Sequence, residues 1–165
     1  MSNLREQLEQ SLQGRVCFMG LGNTEYGDDG FGVRLAEELM AAGLPHVVIA
    51  GTTPDRWLGQ AADFDQVLFL DAVDWGGTPG SAVLLNSTEI ASRFPQVSTH
   101  KISLGALAKW VEMNGTTKAW LLGVQPESLR PSPTLAPRIE TTLQVLTEQL
   151  CSLVHEGQLA GAHLR

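Results

Sequence analysis

The chain is short of cysteine, of clustered positive charge and of long apolar runs, and each shortage excludes a class of protein. Its two cysteines, Cys17 and Cys151, fall in an apolar run and a helical run, where isolated thiols act as small buried hydrophobes instead of a disulfide or a metal pair. Eleven basic residues against eighteen acidic ones give a net charge of −7, and no run of Lys or Arg tracks a phosphate backbone, which argues against nucleic acid. No apolar stretch approaches the roughly 20 residues that span a bilayer, and the first turns lack the apolar centre of a secretory leader. A cytoplasmic protein without membrane contact is the expectation. There is no H-E-x-x-H helix, so an ordinary zincin has no support.

What is present reads as alternating strands and helices. Leucines at 4, 8 and 12 mark a short polar helix within an N-terminal extension, 1–14. The run 15–20 is apolar, brief and closed by glycine, as a buried strand is. Phe31, Leu35 and Leu39 then follow helical spacing up to Gly43. Further strands are predicted at 47–51, 66–74, 81–86 and 118–124. Further helices are predicted at 53–62, 100–115 and 137–154, the last opened by Pro137. The turn from 75 to 80 is too short for a helical crossover, so the strand at 81–86 should run antiparallel to the one before it. The segment from 87 through Pro95 reads as loop, and 156–165 as a flexible tail. With 43% apolar residues, the expected fold over 1–165 is one three-layer α/β/α domain with a mostly parallel central sheet of about five strands.

The loop after the first strand, MGLGNTEYGDDGFG at 19–32, holds five glycines and two adjacent aspartates. A dinucleotide fingerprint needs glycine at the sixth position of G-x-G-x-x-G, where this chain has Glu25. Asp28 and Asp29 would also repel a pyrophosphate at the helix start. Capping explains one aspartate; a second invites a different reading. In open α/β sheets ligands bind beyond the carboxyl ends of strands. Asp29 follows the first strand there, and Asp71 ends the third, where an ionisable group is costly to bury alone. Asp74, before Trp75 and two glycines, is an ordinary turn residue. His100 opens a helix, whose N-terminus favours the neutral imidazole. Two carboxylates and one imidazole from three loops would form an open divalent-metal site.

At this point GLGNTEYGDDGFGVRLAEEL, LFLDAVDWGGTPG, VSTHKISL and LLGVQPESL, in that order, resemble the nickel-iron hydrogenase maturation endopeptidases, from Val16 to about Leu153. That resemblance implies an endopeptidase that removes the C-terminal extension from the precursor of a hydrogenase large subunit. It implies Asp29, Asp71 and His100 as metal ligands. It further implies that the metal is nickel already carried by the precursor. Asp28 is either a helix cap or a general base or orienter. Gly22, Asn23 and Gly27 would shape the loop and bring backbone amides and the Asn23 side chain near the developing oxyanion. Tyr26, Trp75 and residues 125–131 would rim the cleft. The expected partner is the precursor alone, met by a monomer. Two rivals remain: a non-cleaving checkpoint module that senses inserted metal, and a degenerate nucleotide-binding domain.

Overall fold

The computed structural model describes residues 3–95 and 102–157. A short helix, α1 (Leu4–Ser11), leads into β1 (Val16–Leu21), a one-turn 3-10 segment at Gly27–Gly30 and α2 (Phe31–Ala41). Then come β2 (Val47–Gly51), two 3-10 segments at Pro54–Arg56 and Leu58–Asp63, β3 (Gln66–Ala72) and β4 (Ala82–Asn86). Helices α3 (Ser87–Arg93) and α4 (Leu104–Val111), strand β5 (Lys118–Val124) and the long α5 (Pro137–His155) complete the described chain. The sheet order is β2-β1-β3-β5-β4, parallel except for the β4–β5 pair. The predicted mixed five-stranded sheet is therefore present.

Alternation along the strands divides the interior in two. Phe18, Leu68, Leu70 and Leu122 face a layer built from α1, α2 and α5, while Cys17, Met19, Phe69 and Leu121 face α3, α4 and the 3-10 segments. Two-sided burial is why these strands read as continuous apolar runs. α5 buries Ile139, Leu143, Leu146, Leu150 and Leu153 on one stripe at helical spacing.

Four details differ from the sequence reading. The helix predicted at 53–62 is instead two short 3-10 segments, Pro54–Arg56 and Leu58–Asp63, neither with a side-chain cap. β4 does run opposite to β3, but β5 inserts between them, so β4 pairs only with β5. The stretch after β4 is helix, held by a capping box in which Asn86 and Glu89 exchange bonds with each other's backbone. The N-terminal helix is no appendage: Leu8 and Leu12 are fully buried in the α2/α5 layer, and Arg5 pairs with Glu156 at 2.6 Å.

β1 leads by α2 to β2 on one side, and the chain then crosses to β3 on the other. The β1/β3 boundary is thus the switch point of the sheet, where crevices open beyond the strand ends. α2 presses its first turn onto that boundary. A Cβ at Gly32 would collide with the carbonyl oxygens of Leu21 and Leu70, the last turns of β1 and β3.

Candidate active site at the sheet switch point

Gly22 follows β1 with φ +121°, a backbone region L side chains rarely adopt. A side chain there would run into the Asp29 carbonyl and would come within 3.5 Å of Asp71 Oδ1. One missing Cβ thus lets the loop carrying Asp29 close against the end of the strand carrying Asp71. Both carboxylates are buried, at 4% and 2% exposure. The Asn23 N–H donates to Asp29 Oδ2 at 2.9 Å, so the loop wraps its own carboxylate. Asn23 Oδ1 in turn accepts from Glu25 N–H at 2.9 Å, an Asx turn that sets the loop's bend. The Asp29 N–H bonds to Tyr26 O, closing the turn ahead of α2.

Asp28 has a different fate. It is 1% exposed, and it caps neither the 3-10 turn nor α2. Its Oδ2 accepts from the N–H groups of Glu127 and Ser128 at 2.8 and 2.9 Å, and its Oδ1 from Ala136 N–H at 2.8 Å. Both oxygens are committed to the two ends of the β5–α5 loop. Backbone bonds Gly27 N–H to Ser132 O, Asp28 N–H to Ser128 O and Ser132 N–H to Glu25 O join the same segments. A carboxylate receiving three backbone donors is not placed to take a proton from water, so the general-base reading of Asp28 is set aside in favour of an anchoring role.

The N–H groups of Gly22, Asn23 and Gly27 are given to Gly51 O, Asp29 Oδ2 and Ser132 O respectively, so the oxyanion role read for this loop does not fall to those three main-chain donors. Gly22 instead admits Asp29, and Gly27 admits the 128–130 backbone, whose carbonyls would lie 3.2 Å from a Cβ. Gly22 and Asn23 also line an open cleft of about 340 Å³ shared with the end of β2.

Of the expected rim, Tyr26 stands 44% exposed beside the loop, and Leu129 is exposed on the facing segment. Trp75 is half-buried against the α3/α4 layer. Gln125, read from the sequence only as part of the 125–131 rim, organises the turn after β3. Its Oε1 accepts from the N–H groups of Trp75 and Gly77, and its Nε2 donates to Asp74 Oδ1 at 3.0 Å. That bond and the one from Gly76 N–H hold the Asp74 carboxyl below its usual range. The signal was a polar residue directly after an apolar strand, which burial makes expensive without partners. His100 lies outside the described residues. Among those described, no third His, Cys, Asp or Glu joins Asp29 and Asp71 to complete a metal-binding group. Cys17, buried in β1, has its thiol pushed up to about 12 by burial and is no nucleophile.

A mostly parallel α/β sheet with two buried carboxylates at its switch point lacks the all-glycine phosphate loop of a dinucleotide cradle. Comparison with known proteins is more specific. The hydrogenase maturation protease (HycI) family model matches residues 33–153. The hydrogenase 2 maturation protease of Escherichia coli K12 is 29% identical over 151 residues, covering 87% of this chain and 92% of its own. Among solved structures, the nickel-iron hydrogenase maturation protease HycI of Thermococcus kodakarensis KOD1 superposes with a TM-score of 0.78 at 29% identity, covering 93% of this chain and 99% of that one. The E. coli hydrogenase maturating endopeptidase HybD gives 0.72 at 30% identity, covering 87% and 94%. The chain belongs to the hydrogenase maturation protease family. None of the described helices is long and apolar enough to cross a membrane.

Proposed function

We propose that this chain removes the C-terminal extension from the nickel-loaded precursor of a nickel-iron hydrogenase large subunit, with Asp29, Asp71 and His100 meeting the precursor's nickel. The observation that carries the reading is the approach of the Asp29 loop and the Asp71 strand end across Gly22. Two buried carboxylates brought to one strand end suit a hard or borderline divalent ion. His100 enters on the sequence motif alone.

A divalent ion beside the scissile bond would polarise its carbonyl or acidify a water. The rest falls to the chain's own groups. Asp71, at the end of a central strand, supplies a fixed carboxylate on the most rigid element available. Asp29 is oriented by the Asn23 N–H, and its loop is locked by Asp28 to the β5–α5 segment. Asp28 is thus a positioning residue. The same loop also leaves Tyr26 exposed at the mouth, ready to contact a folded substrate.

The test is incubation of purified enzyme with nickel-loaded and nickel-free precursor, read by mass spectrometry. Shortening of the loaded precursor alone is expected, and Asp29→Asn, Asp71→Asn and His100→Ala should each abolish it while the melting temperature stays near wild type. Binding of loaded precursor without shortening would turn the chain into a checkpoint module.

A further inference from the structure

The metal reading leaves one feature of the site unused: the cleft between residues 22–24 and 49–53, with Val33 at its side. It adjoins the carboxylates directly, because Asn23 both lines it and binds Asp29 through its N–H. Its outer wall is the C-terminal half of β2, an edge strand of the sheet. Edge strands present main-chain groups with no strand beside them, the feature by which sheets accept extended peptides. Its chemistry is also distinctive. Val33, Ile49 and Ala50 supply apolar surface, Asn23 and three threonines supply neutral polar groups, and no lining residue is charged. Two further crevices among the described residues differ. One is lined by Glu38, Glu140 and Glu148, and another holds Asp28 and Arg130. At about 340 Å³ the cleft lies at the small end of ligand sites, which run from about 300 to 1,000 Å³.

We propose that this cleft is the subsite for an extended, uncharged segment of the precursor at the scissile bond, laid along β2 with a neutral side chain between the 22–24 loop and Ile49–Thr53. This rests on the protease reading and adds a specificity to it. A charged side chain entering the cleft would lose hydration and meet no counter-charge, so rejection of charge is built into the lining.

The experiment uses full-length enzyme and nickel-loaded precursor carrying Asp singly at each of the three positions on either side of the cleaved bond. Wild type should lose about tenfold in kcat/KM for Asp at one of these positions. Thr52→Arg, and separately Ile49→Arg, each checked for an unchanged melting temperature, place a cation in the cleft. They should raise KM for the natural precursor and favour the Asp-bearing one at that same position, moving the ratio of the two kcat/KM values by about tenfold. Met113→Arg, an exposed change at the opposite end of the sheet, should leave that ratio alone. Wild-type cleavage combined with unchanged ratios in both folded cleft variants would overturn the subsite and leave the protease standing. No cleavage of the natural loaded precursor by wild type would overturn both.

Discussion

Asp28 and Asp29 are neighbours with opposite duties. Asp28 gives both oxygens to three backbone donors of a distant loop; Asp29 takes the Asn23 N–H of its own loop and packs toward the end of the strand carrying Asp71. Asp28→Asn replaces an acceptor oxygen by a donating amide where those N–H groups converge. At least one buried donor loses its partner, and a stability loss of about 1–3 kcal/mol in urea unfolding is expected. A general base would behave otherwise, with stability kept and kcat lowered by about a hundredfold or more. Cys17 offers a second residue-scale prediction. Its folded thiol titrates near 12 against an ordinary value of 9.0, so the folded state holds a proton that the unfolded chain releases. Its contribution is full below pH 9 and is lost as pH rises toward 12. Wild type should therefore lose about 1 kcal/mol relative to Cys17→Val between pH 9 and 10, measured by denaturant unfolding. Asp71 was legible in the sequence because an acid closing an apolar strand conflicts with its surroundings. The division within the aspartate pair was not, because Asp28's partners lie 99 to 108 residues away.

At the scale of elements, periodicity located every strand and α1, α2, α4 and α5, since each carries an apolar run or stripe facing a layer. β5 and α5 were bounded to within a residue. α3 was missed although its signature was present: Asn86 and Glu89 stand three apart at the end of β4, as a capping box requires, but the helix buries only Ile90 and shows no stripe. Glu89→Ala should cost about 1 kcal/mol in thermal or urea unfolding. Strand order was invisible, because β4 and β5 pair through backbone groups that no side-chain pattern reports. α1 was read as an extension of no stated purpose, yet Leu8 is fully buried. Leu8→Ala should cost about 2–5 kcal/mol in urea unfolding, the range for emptying a packed leucine site. A loss under 0.5 kcal/mol would mean that α1 is dispensable.

For the molecule as a whole, the proposed reading raises the question of who owns the metal. On that reading the ion arrives in the precursor, already coordinated there. Enzyme dialysed against chelator, with metal content checked by mass spectrometry, should therefore process nickel-loaded precursor at an undiminished rate without added metal. A requirement for added zinc would make the ion a resident cofactor. The net charge of −7 fits no polyanionic partner, and Tyr26 and Leu129 stand exposed beside the aspartate loop.

The staple formed by Asp28 also sets an order of events in time. The turn that presents Asp29 is tied to residues 127, 128 and 136, which leave the ribosome about a hundred residues after it. A growing chain therefore carries both catalytic-loop aspartates long before it can hold them in place. On the proposed reading, the loop that presents Asp29 gains its anchor only once the segment between the last strand and the last helix has been made.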